Sequence, residues 1–153
     1  MLEHEIGLLR GGQIKYVLGR EMDSLCKKYH LRLTDIEVLF YLKNNTEKNT
    51  AGDIRKSLHI NKGYVSQITN SLCEKGYLTA DADANDHRYM HYSVTEKTHE
   101  ITDTHQQIWD SLEQRLFDGI SAEDRETFFN VLNAVYGNIT KILHEEPGTS
   151  AGK

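Results

Sequence analysis

Cysteine is scarce in this chain: two residues in 153, Cys26 and Cys73, far apart and without a CxxC spacing. That excludes a disulfide framework and a zinc knuckle, leaving each thiol either as a half-buried helix side chain or as a redox sensor. No run of 18 apolar residues occurs, and "MLEHEIGLLRGGQIKY" has acids and glycines where a signal peptide would need a basic start and an apolar stretch. A soluble, cytoplasmic protein without membrane contact is therefore expected. A glycine-rich phosphate loop, a nucleophile elbow and a paired-carboxylate motif are all missing, so neither an enzyme nor a cofactor is expected. Helical metal-ligand pairs need a spacing of three or four on a helix, but His99 and His105 are six apart, and His87 and His91 lie in or beside a hairpin rather than on a helix. They read as scattered surface or core residues, and no metal site is assigned.

Excess positive charge is also missing. The net charge is −5, which taken alone argues against a nucleic-acid partner. Its distribution reverses that inference. Residues 1–49 carry 8 basic and 7 acidic groups, residues 50–97 carry 6 and 6, and residues 98–153 carry 4 and 10. The acid is concentrated in the last third, and any phosphate contact must be made locally in the neutral middle.

The periodicity is mainly helical. From Leu2 to Tyr29 a pattern built on Leu9, Ile14, Val17, Leu18, Met22 and Leu25 is interrupted by Gly7, Gly11, Gly12 and Gly19. A glycine costs a helix interior about 1 kcal/mol relative to alanine, so this helix is expected to need a packing partner. In "LTDIEVLFYLKNN", Thr34 and Glu37 have capping-box spacing, and Ile36, Leu39, Phe40 and Leu42 form a stripe. In "TAGDIRKSLHI", Thr50 can cap with Asp53 at the third helical position, above a face of Ala51, Ile54 and Leu58. Asn61 starts "NKGYVSQITNSLCEKG", with Val65, Ile68 and Leu72 inward and Gly76 placed to end it.

Only two residues separate Leu58 from Asn61, so these helices must cross steeply, as in a helix-turn-helix. The later one then presents Lys62, Tyr64, Ser66, Gln67, Asn70 and Ser71 to solvent. "YLTA" and the alternating "YMHYSVT" are β-type runs around a tip rich in Asp, Asn and Ala, which predicts a hairpin wing. With the helix in a DNA major groove, the tip would reach the backbone or minor groove. Asp86 stands two residues before Arg88, close enough to hydrogen-bond its guanidinium and aim it, and an arginine suits a narrow minor groove.

Three stretches in order resemble the MarR family of winged helix-turn-helix transcriptional regulators over roughly residues 30–145. "LTDIEVLFYL" is similar to its helix opening, "INKGYVSQITNSLCEKGYL" to its recognition helix, and "NDHRYMHYSVTEK" to its wing signature of Asp-x-Arg, a strand and Thr-x-Lys. The resemblance implies a mainly α fold with a small β-hairpin wing: a winged helix-turn-helix lobe at 31–95 and a helical dimerisation region at 1–30 and 96–146. Residues 147–153 read as a disordered tail. It further implies a homodimer on a pseudo-palindromic double-stranded DNA operator, acting as a repressor released by a small lipophilic or phenolic effector in the crevice between arm and lobe. Tyr64, Gln67 and Asn70 are then expected to read bases, Lys62 and Ser66 to hold phosphates, and Arg88, steadied by Asp86, to probe the minor groove.

The arm fits that role. Thr95 is expected to start a helix carrying Ile101, Ile108, Leu112 and Leu116. Ser121 and Asp124 cap a second with Phe128, Leu132, Val135, Ile139 and Ile142. Helices this apolar must bury one another or another copy. The chain departs from the family pattern at Ala80, where a basic residue is common, at Gln67, where arginine is frequent, and at Thr98, where glycine is frequent; fewer charged contacts imply a shallower salt dependence. Two rivals stay open, a winged helix used as a protein-interaction module and a metal- or thiol-gated sensor acting through Cys26 or His99.

Overall fold

The computed structural model describes residues 12–144. The expectations for residues 2–11 and for the tail at 147–153 lie outside the described residues, as does the Ile14 side chain. In chain order the elements are α1 (Gly12–Tyr29), α2 (Leu33–Asn44), α3 (Ala51–Leu58), α4 (Lys62–Glu74), β1 (Leu78–Ala82), β2 (Met90–Val94), a 3-10 turn (Glu96–Thr98), α5 (His99–Leu116) and α6 (Ala122–His144). They form two compact units that divide at Leu112 and Glu113.

The first unit closes around one apolar core. α1 runs unbroken through Gly19 and buries Leu18, Met22 and Leu25. It ends at His30, which takes a left-handed φ of 52° while the Leu31 amide donates to Cys26 O at 3.0 Å. This six-to-one closure satisfies an end carbonyl and turns Leu31 into the core. The same closure recurs after α4, where Gly76 (φ 74°) lets the Tyr77 amide reach Leu72 O at 2.9 Å and Tyr77 is buried. Glycine suits that position because its φ excludes most side chains.

α2 corrects the capping expectation. The helix starts two residues earlier than Thr34 would place it: Arg32 is the N-cap and Asp35, not Glu37, closes the box. The Asp35 carboxylate accepts from the Arg32 amide at 2.8 Å and from its guanidinium at 3.1 and 2.8 Å. A buried acid that satisfies an amide and a cation together outcompetes the threonine cap. The stripe also differs: Ile36, Val38, Leu39 and Leu42 are buried, whereas Phe40 is only half-buried. α2 lies inside the unit with apolar contacts on several sides, so an amphipathic pattern understates its burial.

α3 and α4 follow their local signals. The Thr50 hydroxyl accepts the Asp53 amide at 3.3 Å, and the Asp53 carboxylate returns to the Thr50 amide at 3.1 Å. Asn61 accepts the Tyr64 amide at 2.8 Å. Ile54, Val65, Ile68 and Leu72 are buried to 1% exposure or less, which fixes the opposite face of α4 toward solvent. β1 and β2 pair antiparallel from Leu78–Val94 to Ala82–Met90. Asp81 and Ala82, assigned to the tip from sequence, thus belong to the strand.

Thr95 does not cap a helix through its side chain. Its hydroxyl donates to Gly76 O at 2.8 Å, closing the base of the hairpin, and the α-helix begins only at His99. Thr98 is fully buried and its hydroxyl donates to Tyr77 O at 2.7 Å, latching the start of α5 to the end of the hairpin's lead-in. α5 buries Ile101, Thr102, His105 and Leu112. Lys28 pairs with Glu100 at 2.8 Å and Lys43 with Asp103, tying α5 to α1 and α2.

In the second unit the Ser121 hydroxyl accepts the Asp124 amide at 3.1 Å, as the spacing predicts. Phe117, Phe128 and Phe129 cluster at 5.4–5.7 Å between ring centroids, with the Arg125 guanidinium 5.0 Å from the Phe117 ring. Along α6, however, Phe128, Val135, Ile139 and Ile142 are 41–65% exposed.

Candidate nucleic-acid interface

The exposed face of α4 follows from the burial of its other face. Lys62, Ser66, Gln67 and Asn70 are exposed, and three- and four-residue spacing places them along one side of the helix. Ser66 is partly committed, since its hydroxyl donates to Lys62 O at 3.2 Å. Tyr64 differs from the sequence expectation of a freely solvated ring. It is half-buried against the core, and the Arg32 guanidinium lies 5.1 Å from its ring centroid. The residue that caps α2 therefore also steadies the first turn of α4, a long-range pairing with no local signature.

The wing tip has the geometry its sequence implies. Asp86 accepts from the Arg88 Nε at 2.9 Å, from Nη2 at 2.7 Å and from the Arg88 amide at 3.1 Å. The Arg88 side chain is 86% exposed, so the carboxylate fixes its base while its outer edge faces solvent. These bonds, chiefly the guanidinium's, hold the Asp86 carboxyl below the usual carboxylate range. The chemistry available to the tip is that of a pre-aimed cation.

Sequence reading missed what holds the turn. Asp83 accepts the Asn85 and Asp86 amides through one oxygen at 2.8 and 2.9 Å and faces His91 Nε2 through the other at 3.0 Å. His91 and then the two amides lower its pKa to about 2. On its other edge, His91 Nδ1 lies 2.5 Å from Asn49 Oδ1. Backbone bonding repeats the link, because Thr50 bridges to His91 and the Tyr92 amide donates to Asn49 O at 3.0 Å. An aspartate whose side chain meets amides two and three residues on is a known turn signal, and "DAND" carried it. Nothing local marked His91 or Asn49.

A cleft of about 320 Å³ opens in the same unit, lined by Glu37, Phe40, Tyr41 and Asn44 of α2, Leu58 of α3 and His105 and Trp109 of α5. His105 is 3% exposed, neither ring nitrogen has a partner, and its ring centroid lies 4.5 Å from that of Phe40. Burial pushes its pKa down to about 4, so the ring is neutral at pH 7. Both cysteines are half-buried, and burial raises the pKa of each thiol, disfavouring the reactive thiolate. Among the described residues, no group of three His, Cys, Asp or Glu is placed to hold a metal ion.

Comparison with known proteins gives the same picture. The family of winged helix DNA-binding domains matches residues 31–98. No curated protein matches the chain. Among solved structures, a MarR transcriptional regulator from Methanosarcina mazei Go1 is similar with a TM-score of 0.77 at 19% identity, over 90% of this chain and 99% of that one. MepR of S. aureus in its DNA-binding conformation gives 0.76 at 22% identity, over 88% and 98%. Streptococcus pneumoniae FabT in complex with DNA gives 0.72 at 20%, over 92% and 99%. Residues 31–98 thus match the winged helix DNA-binding domain family, and the chain has the winged helix-turn-helix fold that these MarR family structures share.

Proposed function

We propose that this chain is a homodimeric, sequence-specific transcriptional regulator of the MarR family, acting in the cytoplasm as a repressor released by a small molecule. The observation that carries the reading is the pairing, in one unit, of a polar α4 face with a hairpin that presents one aimed guanidinium. α4 enters the major groove, where Gln67 and Asn70 meet base edges and Lys62 meets a phosphate; Tyr64 contributes its outer edge and Ser66 a secondary phosphate contact. Arg88, steadied by Asp86, reaches the minor groove. The exposed apolar face of α6 supports a dimerisation region at 1–30 and 96–146 around the lobe at 31–95.

The cleft at His105 and Trp109 is the place for the effector. Its aromatic walls suit a flat lipophilic or phenolic molecule, and the neutral imidazole offers a phenol one hydrogen-bond partner. Such a ligand acts only if it favours one arrangement of the lobes over another. The test is selection of bound sequences from a random duplex pool, followed by a salt titration. A pseudo-palindromic site with log affinity falling against log salt is expected. Absence of binding even at low salt, with a protein partner captured instead, overturns the reading in favour of an interaction module. Quenching of Trp109, the sole tryptophan, by salicylate or a longer phenolic series, together with operator release, tests the effector site.

A further inference from the structure

We propose that His91 is a positioning residue of the wing, a proton-loaded clamp between the Asp83 turn and Asn49 that makes operator binding depend on pH. This rests on the DNA-binding reading above. The ring stands between two oxygens, the Asp83 carboxylate at 3.0 Å and the Asn49 side-chain carbonyl at 2.5 Å. A neutral imidazole has one N–H and can donate to only one of them; the imidazolium donates to both.

The clamp joins two parts of the interface. Asp83 holds the Asp86 amide, and Asp86 holds the Arg88 guanidinium, so the chain of bonds runs from His91 to the cation at the tip. At the other end, Asn49 directly precedes Thr50, the N-cap of α3, and α3 leads into α4. Loss of one clamp bond therefore loosens Arg88 with respect to the helix it must act beside.

Each element around the ring contributes a charged or polar group. From β1, Asp81 is the cross-strand partner of His91. From the turn comes Asp83, while Asp86 is committed to Arg88 and His87 is exposed. From the approach to α3 come the uncharged Asn49 and Thr50, with Asp53 bonded to Thr50 and Lys48 and Lys56 acting on Asp53. One carboxylate, from Asp83, and one amide carbonyl, from Asn49, thus meet the ring nitrogens directly.

The experiment measures affinity for the selected operator at fixed ionic strength from pH 6 to 8.5. Wild type is expected to bind about fivefold more weakly at the upper end, because a ring carrying a single N–H can hold only one of the two oxygens. His91→Gln should bind with a flat profile at the wild type's high-pH level, Asp83→Asn should also flatten the profile, and His87→Gln should retain it. Nitrogen-15 spectra should show protons on both His91 ring nitrogens at pH 6. A flat wild-type profile, a profile that persists in His91→Gln, or one that is removed by His87→Gln or His59→Gln instead, overturns the clamp. So does a ring carrying one proton at pH 6, with Asn49 turned to donate its amide. Wild type that binds no duplex at any pH overturns the parent reading rather than this one.

Discussion

α4 and α6 have similar apolar content along one side and opposite fates. In α4, Val65, Ile68 and Leu72 are sealed within their own unit at 0–1% exposure, whereas Val135, Tyr136, Ile139 and Ile142 of α6 are 41–65% exposed. Burying such side chains is worth about 1.5–3 kcal/mol each, and the four left exposed on α6 are the surface on which the proposed dimer rests. The same periodicity therefore marks a completed core in one helix and an exposed apolar face in the other. The difference separates what stabilises the lobe from what would bring two lobes to one duplex.

The comparison can be broken most severely on the α6 side. Val135→Glu combined with Ile139→Glu should convert a dimer to a monomer in sedimentation equilibrium and reduce operator affinity more than about a hundredfold, because the second half-site then loses its effective concentration. A variant that stays dimeric would remove α6 from the interface. On the α4 side, Ile68→Ala should cost about 3 kcal/mol in urea unfolding while leaving the association constant of the folded protein unchanged.

A third test concerns His105, buried within the first unit. His105 has a folded pKa of about 4 against an ordinary 6.5, so the unfolded chain takes up its proton first as the pH falls. Stability attributable to the neutral ring is intact above pH 6.5 and declines by up to about 3 kcal/mol as the pH drops toward 4. Denaturation curves at pH 7 and 4.5 should show the decline, and His105→Leu should remove most of it. The smallest effect is expected at the wing: Arg88→Ala should weaken operator binding about tenfold and reduce the salt slope by about one, without a measurable change in melting temperature.

What could be read from the chain was whatever is decided within three or four residues. Thr50 with Asp53, Asn61 with the Tyr64 amide, Gly76, Ser121 with Asp124 and the Asp86–Arg88 pair are all closures of that range, and each stands where its spacing puts it. Local reading failed where two local solutions competed. Thr34 and Glu37 offered a cap, but Asp35 satisfied both an amide and a cation, and Thr95 had a hairpin to close instead of a helix to start. Tyr64, seen as a polar-face residue, has Arg32 against its ring.

The amino-acid order by itself determined the helix boundaries near strong caps, the antiparallel wing and the aiming of Arg88, because short closures depend on chain spacing alone. Only the folded arrangement decided that α2 is buried on several sides, that His105 lies without a partner beside Phe40 and Trp109, and that Asn49 and Asp83 meet across His91. Those pairings join residues far apart in the chain, and which of them form depends on how the core brings the helices together.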